Sequence, residues 1–593
     1  MAERLSDKEW ARTLKALARH NGHQRSAAKD LGIGRPAIAS RILNARARGL
    51  EVPVYERIAG GPRLSAGKVA EAVAALEAHG GHKTNAARSL GLHRNSFAGR
   101  LSTAELRDDW IPQGRARALT PVKMPLPTGN KVARYVLTCA QSGTKLHEPT
   151  WTALNALAKH YGAKTLVSTF SYAHRQEGSA KRGTQGDDRG VDWYDPRIEP
   201  HVSDDMVALA PSLIWNGHMN ILPTAVDPLS GMSNYNGRAS SIFPHVKVAM
   251  VSVPTMAGSA AKLQYTTGTA TQLNYIAKKA GQKAEFDHVF GGLIVEVNSD
   301  GAWWVRQLHV DSKGRLYDLD LCVMPDGVVA PGIGASGVVF GDLHDAQLAD
   351  TTRAEKWGSK GMVAALRPAV QIAHDILDFQ SRSHHARKDP HAMFELHARG
   401  KENIQDEVKG VGALLKLMAQ HSKVIVVNSN HDRHLERWLK EADWRTDPVN
   451  AEFYVACQAA FLGAIRAGKR FDALKWAVDK YNAAKGVRFL DPGESFIVCR
   501  DGSGGVELGL HGDLGPGGSR GSIRNLSRIG RKVVIGHSHS AGIHNGAYQV
   551  GVSARLDMEY ARAAPGAWSH TDCVVYPNGK RALLTWWRGK WRA

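Results

Sequence analysis

Cysteine is scarce in this 593-residue chain. The five present, Cys139, Cys322, Cys457, Cys499 and Cys573, are scattered, odd in number and without a CxxC pair. This excludes a disulfide framework and a cysteine-rich zinc module, and it suits a reducing compartment such as a cytosol. No run of about 18 apolar residues occurs, so no helix is expected to span a bilayer. The first ten residues are polar and charged, so no secretory signal is expected there. Acidic residues are in deficit, 56 Asp and Glu against 77 Lys and Arg, a net charge of +21. Disorder throughout is excluded, because 43% of residues are hydrophobic and only 22% charged. The length exceeds one ordinary core and predicts about three or four domains.

The basic excess is concentrated. Residues 1–130 hold 22 Lys and Arg against 11 Asp and Glu, which points to a polyanion and first of all to nucleic acid. The same region contains a duplication. Residues Gly22 to Ile33 return as Gly81 to Leu92 at a constant offset of 59. Each copy follows an apolar-periodic helix and carries an Ala pair (Ala27 and Ala28, Ala86 and Ala87). A Gly turn comes next (Gly32, Gly91), then a second helix (Arg35 to Leu43, Arg94 to Leu101). Small residues let two helices cross closely, and Gly takes the positive φ of a tight interhelical turn. The pattern resembles a tandem helix-turn-helix of the Fis type. In such motifs the early residues of the second helix face base edges. The resemblance implies that Arg35 and Arg94 face DNA and that Ser26, Lys29, Asn95 and Arg100 can reach phosphates. The expected divisions are repeat 1 over 1–58, repeat 2 over 59–108 and a Pro- and Gly-bearing linker over 109–130.

Residues 131–330 read as an α/β domain without a visible site. Tyr135 to Thr138 and Thr165 to Ser168 look like strands around a helix from Trp151 to Tyr161. Val246 to Val253 and Leu293 to Val297 look like further strands. Gln176 to Tyr194 reads as a polar loop. His201, His218 and His245 read as ordinary satisfied histidines.

From Gly337 onward, apolar strands end repeatedly in Asp, Asn or His. Phe340 leads to Gly341-Asp342-Leu343-His344, and Ala373 to His374-Asp375-Ile376-Leu377-Asp378. Val427 leads to Asn428-Ser429-Asn430-His431-Asp432, Leu510 to His511-Gly512-Asp513, and Ile535 to Gly536-His537-Ser538-His539. Ligands bind beyond the carboxyl ends of strands in open α/β sheets. One such motif is weak, but five in succession can place oxygen and imidazole donors around a pair of divalent cations. Two cations about 3.5–4 Å apart offset the negative oxygens of a phosphodiester and lower the pKa of a bound water. The donor set, free of thiolate, suits Mn²⁺, with Fe, Zn or Mg as alternatives.

The order of motifs resembles the calcineurin-like metallophosphoesterases over about residues 335–593. The resemblance implies a β-sandwich flanked by helices, over a domain spanning 331–593. It implies one metal on Asp342, His344, Asp375 and His539, and a second on Asp375, Asn430, His511 and His537, with Asp375 shared. It further implies a catalytic His431 oriented by Asp432. His374 and Ser429 stand where the family pattern has Gly. Asp378 and Asp513 read as groups that orient ligands. Arg382, His384, His385, Arg433 and Arg520 are the candidate substrate contacts. Together with the basic repeats this predicts a metal-dependent DNase, similar to SbcD-type nucleases. The whole layout is also similar to phage-encoded metallophosphoesterases, among them first-step-transfer DNases, which implies action in the host cytoplasm. A phosphomonoesterase or protein phosphatase, and a DNA-binding regulator with minor hydrolase activity, stay open. DNA is the expected partner. The helices expected over Asn403 to Gln420 and Glu436 to Ala484 could serve a homo-oligomer.

Overall fold

The structure, a computed structural model, describes residues 6–20, 24–47, 50, 65–79, 83–106, 120–172, 193–384, 387–482, 485–500, 504–558 and 564–593. It divides into two compact units, Met1–Ala74 with Gly99–Ile111, and Ala75–Ala98 with Pro112–Ala593.

The N-terminal duplication is realised as two helix triplets. The first is Asp7–Arg19, Gln24–Asp30 and Arg35–Ala47, and the second is Ala66–Ala78, Lys83–Ser89 and Arg94–Leu106. Ser6 and Glu9 close a capping box on the first helix, satisfying N–H groups that the helix leaves unpaired. Ala27 and Ala28 pack with Ala16, Leu17 and Ile38 in one small core. Ala86 and Ala87 are equally buried. Gly32 and Gly91 take φ of +67° and +63°. In each copy the residue after this glycine reaches back to the first of the helix's closing carbonyls. Ile33 N–H donates to Ala28 O at 3.0 Å, and Leu92 N–H donates to Ala87 O at 2.8 Å. This is the left-handed helix cap that glycine permits.

In the second unit, the core is built on period-two alternation. A six-stranded sheet runs in the order Val487–Phe489, Lys423–Val426, Val370–Ala373, Gly337–Val339, Thr571–Val575, Arg581–Thr585. Its first four strands are parallel and its last two antiparallel. Val338, Ala373, Val424, Val426, Val574 and Leu584 face helices that include Ile404–Ala419, His434–Glu441, Ala451–Arg466 and Ala473–Asn482. Val339, Ile372, Ile425, Val427, Cys573 and Leu583 face the opposite way, into a second core. Adjacent side chains on a strand point to opposite faces, so one β-branched run serves both cores.

An eleven-stranded sheet supplies the other wall of that second core. Its order is Val122–Lys123, Met206–Ala210, Leu213–Asn216, Ser240–Phe243, Lys262–Thr266, Met250–Val253, Gly542–His544, Ala547–Gln549, Lys532–Ile535, Val506–Glu507, Ile497–Val498. A four-stranded sheet (Trp303–His309, Gly291–Val297, Ala133–Gln141, Lys164–Phe170) adds Tyr135, Leu137, Leu293 and Val295 to the same core. Its other face packs on the helix Glu148–Tyr161. The middle region was expected to be a domain of its own ending at residue 330. The eleven-stranded sheet crosses that boundary, because Val251 and Met250 pair with Gly542 and Ile543. Of the strand expected over Val246 to Val253 only Met250–Val253 forms. Most of the loop expected over Gln176 to Tyr194, residues 176–192, lies outside the described residues. No helix among the described residues is long and apolar enough to cross a membrane.

Gly32→Ala places a β-carbon on a left-handed backbone in otherwise open space. It should destabilise the first repeat by about 1–2 kcal/mol, read as a lower unfolding midpoint in circular dichroism of the full chain. An unchanged midpoint would count against this cap.

Candidate metal centre

The five motifs leave the sheets at the same edge. Gly337–Val339, Val370–Ala373 and Lys423–Val426 are parallel neighbours, so their carboxyl ends lie side by side. Val506–Glu507 and Lys532–Ile535 are parallel neighbours in the facing sheet. Backbone bonds tie the loops to one another. Leu343 and His344 N–H donate to His374 O and Asp375 O at 3.0 and 2.8 Å, and Gly536 N–H donates to His511 O at 2.7 Å. Asp572 accepts from Gly341 N–H at 2.9 Å and pairs with the buried Lys356, which anchors the residue before Asp342.

The structure brings the candidate ligands together in overlapping sets. Asp342, His344, Asp375 and His539 place one donor atom each within 4.8 Å of one another, and Asp375, His511 and His537 do the same. Asn430 joins the second set. Its Oδ1 lies 2.8 Å from His511 Nε2 and 3.0 Å from His537 Nδ1. Asp375 therefore belongs to both groups. His539 Nε2 stands 3.2 Å from Asp342 Oδ2 and 3.2 Å from His344 Nε2. His344 Nδ1 is 3.0 Å from Asp378 Oδ1, so it carries the hydrogen and its Nε2 lone pair is left facing His539. Two imidazole nitrogens and a carboxylate oxygen converging this closely need a proton or a cation among them. Asp342 and Asp375 are essentially fully buried, and their ion-pair partners among the described residues are imidazoles. Asp342 Oδ1 is buried without a hydrogen-bond partner. These features fit a divalent cation of borderline character.

The electrostatics say the same. Burial works against the charge on His511, but the carboxylates of Asp375 and Asp342 overcome it and carry the imidazole up to about 9. Burial likewise resists ionisation of Asp375, yet the His511 and His431 imidazoles hold it well below the usual carboxylate range. Burial, then the charge of His511, push His374 down to about 4. A neutral His374 thus lies against a charged His511, with the two Nδ1 atoms 3.4 Å apart.

Four of the seven candidate ligands sit on left-handed backbone, His344 (φ 41°), Asp375 (41°), His537 (75°) and His539 (57°). Such conformations cost non-glycine residues roughly 1–3 kcal/mol apiece and persist where the surroundings impose them. A β-carbon at Gly536 would lie 2.3 Å from Asp342 Oδ1, so any other residue there would have to displace that carboxylate.

His431 lies at the mouth of this cluster. Its N–H donates to Asp375 Oδ1 at 2.9 Å, and its Nδ1 is 3.2 Å from the Asp378 carbonyl oxygen and 3.7 Å from Asp378 Oδ1. Asp378 thus contacts both His344 and His431 and helps to orient the His431 ring. Asp432, expected in that part, accepts instead from Leu377 N–H at 2.9 Å. Asp513 pairs with Arg433. Further rings gather around the centre, His384 among the candidate substrate contacts and His434 and Trp568 without a signal in the motif pattern. His434 and His384 continue the His431 ring contact outward at centroid spacings of 4.6 and 4.7 Å, and Trp568 packs edge-on against His539 at 4.3 Å.

The remaining candidate contacts separate. Arg382 is buried and bonded through two nitrogens to Asp447 at 2.6 Å each, so it is a scaffold ion pair. Arg433 bridges Asp513 and Asn428 Oδ1. Arg520 is exposed, and His385 lies outside the described residues. In the repeats, Lys29 and Asn95 are exposed, and the Arg35 side chain lies outside the described residues. Arg100 pairs with Glu71 at 3.2 Å. Arg94 donates to His218 O at 3.1 Å and stands 3.8 Å from Asp204. His245 is satisfied by Lys247 and Leu222, and His218 lies 3.0 Å from the Tyr235 hydroxyl.

Residues 73–102 match the Bacterial regulatory protein, Fis family, so the second repeat is a Fis-type helix-turn-helix. Protein A1 of Escherichia phage T5 is 36% identical over 478 residues, covering 78% of this chain and 83% of that protein. The chain belongs to the protein A1 family.

Two outcomes follow. Gly536→Ala should displace the Asp342 carboxylate and cut bound metal, measured by elemental analysis after Mn²⁺ loading and desalting. Wild-type metal content in this variant would refute the cradle. Coordination requires His511 to give up a proton that it holds up to about pH 9. Metal affinity should therefore rise with pH, by about tenfold per unit for one displaced proton. Calorimetric titration between pH 6.5 and 8.5 checks this, and a flat profile would contradict it.

Proposed function

We propose that this chain is a metal-dependent phosphodiesterase that hydrolyses DNA, brought to its substrate by the N-terminal helix-turn-helix region. The observation that carries the proposal is the pair of buried ligand sets sharing Asp375, with His431 held beside them. Asp342, His344, Asp375 and His539 would hold one divalent ion, and Asp375, Asn430, His511 and His537 the other. Two such ions supply Lewis-acid stabilisation of phosphate charge and a more acidic water.

The chain's own groups complete the chemistry. A carbonyl oxygen can only accept, so the Asp378 carbonyl fixes the hydrogen of His431 on Nδ1. Its Nε2 is then the atom that holds a proton for a leaving alkoxide. The Asp375 bond to the His431 N–H keeps this imidazole in register with the ligand cluster. Arg520, exposed on the loop after His511, is available to a phosphate.

Net charge supports DNA over a small monoester or a phosphoprotein. The basic excess is densest in the repeats, and residues 73–102 have the Fis-type fold that places a helix in the major groove. Kinship with a phage protein fits an enzyme encoded by a phage and acting in the host cytoplasm.

Purified chain with Mn²⁺ should degrade plasmid DNA and turn over a nitrophenyl phosphate monoester far more slowly. Monoester turnover alone would favour a phosphatase, and DNA binding without turnover a regulator. His431→Ala should lower cleavage by about 10²-fold or more while leaving the metals bound. Full activity in that variant would remove His431 from the mechanism. Deleting residues 1–125 should weaken DNA affinity and flatten its dependence on salt; an unchanged slope would place the DNA contact elsewhere.

A further inference from the structure

The strands of the middle region repeat, in the same chain order, the pairing of strands that carry the candidate ligands. In the ligand-bearing half, Gly337–Val339 pairs parallel with Val370–Ala373 and antiparallel with Thr571–Val575, which turns back into Arg581–Thr585. In the middle half, Ala133–Gln141 pairs parallel with Lys164–Phe170 and antiparallel with Gly291–Val297, which turns back into Trp303–His309. Even the hairpins match, closing at Val575 with Arg581 and at Val297 with Trp303.

The facing sheet shows the same duplication. Ile497–Val498, Val506–Glu507, Lys532–Ile535, Ala547–Gln549 and Gly542–His544 are adjacent in that order, joined by antiparallel, parallel, parallel and antiparallel pairings. Met206–Ala210, Leu213–Asn216, Ser240–Phe243, Lys262–Thr266 and Met250–Val253 follow the identical scheme. The two copies meet where equivalent strands, Met250–Val253 and Gly542–His544, pair antiparallel with each other. That is the self-complementary contact of a two-fold dimer, made within one chain.

Among its described residues the middle copy does not repeat the ligand set. Ser171 and Tyr172 follow the strand equivalent to the one leading into Asp375. Pro244 stands where the other half has Gly536, and His245, at the position of His537, is bonded to Lys247 and Leu222 instead. The groups able to hold an ion among the described residues all lie in the ligand-bearing half. Yet the middle copy reaches the metal centre through the shared seam. Ser252 Oγ donates to Ala541 O at 2.7 Å, two residues beyond His539. Thr255 and Gly566 exchange backbone bonds of 2.9 Å in both directions, two residues before Trp568, whose ring packs on His539.

We propose that the middle region is a metal-free second copy of the ligand-bearing half, fused as an internal subunit. Its edge strand Met250–Val253 positions the His537–His539 loop, with Ser252 as the positioning residue. The proposal rests on the dinuclear reading above. Its test is calorimetric Mn²⁺ titration of full-length wild type, Ser252→Ala and Ser252→Thr, with thermal unfolding alongside. Wild type should take up two ions. Ser252→Ala should bind one of them roughly five- to tenfold more weakly with little change in unfolding midpoint, and Ser252→Thr should restore the affinity. Wild-type affinity for both ions in Ser252→Ala would overturn the positioning role. So would a loss matched by a lowered midpoint and not rescued by threonine. A third ion that survives Asp375→Asn would overturn the metal-free status of the middle copy. Uptake of no ion by wild type would instead refute the dinuclear reading itself, and this proposal with it.

Discussion

Two buried carboxylates, Asp342 and Asp375, set the terms for the ligand-bearing half of the molecule. Charge taken out of water is costly unless it is compensated nearby. Here the compensation comes from imidazoles, and it is incomplete: Asp342 Oδ1 has no hydrogen-bond partner, and His511 holds a proton to about pH 9. A site arranged in this way is poised to exchange protons for divalent cations. The surrounding architecture keeps the carboxylates from moving apart to solve the problem differently. Backbone bonds tie the Asp342 loop to the Asp375 loop and the His511 loop to the His537 loop, four candidate ligands are held on left-handed backbone, and Gly536 leaves the space that the Asp342 carboxylate fills.

The cost of that arrangement is carried by the sheets. Strands such as Lys423–Val426 serve two cores at once, Val424 and Val426 toward the helices and Ile425 and Val427 toward the facing sheet. Rigid parallel strands fix where each loop begins, so the donor atoms converge before any ion arrives. A preformed cluster of this kind suits the proposed hydrolysis, in which positioning and fixed charge matter more than motion.

Much of the gathering of the candidate ligands was legible in the sequence because each motif couples a buried strand to a polar end. The apolar runs through Val338, Ile372, Ile425 and Val533 announce strands, and the residues after them can share only one edge of parallel sheets. The glycines of the repeats were legible for a similar local reason, as the matching positive φ of Gly32 and Gly91 demonstrates. What could not be read is set by distance in the chain. Nothing local distinguishes Asp378 from Asp432 as the partner of His431, because the choice depends on how two loops meet. Arg382 has the look of a substrate contact until Asp447, 65 residues on, claims two of its three nitrogens. The middle region repeats the pairing of the other half with no obvious repetition of residues. Its strands keep the order of pairing while residues such as Ser171, Tyr172 and Pro244 follow them, so the likeness lives chiefly in hydrogen-bond order.

The central claim is that seven side chains, spread over some two hundred residues, hold two ions at one shared carboxylate. Anomalous diffraction from crystals grown with Mn²⁺, collected at the manganese edge, tests this directly. The account predicts two peaks, one enclosed by Asp342, His344, Asp375 and His539, the other by Asp375, Asn430, His511 and His537. Peaks elsewhere, or a single peak that leaves Asp375 without a contact, would contradict it.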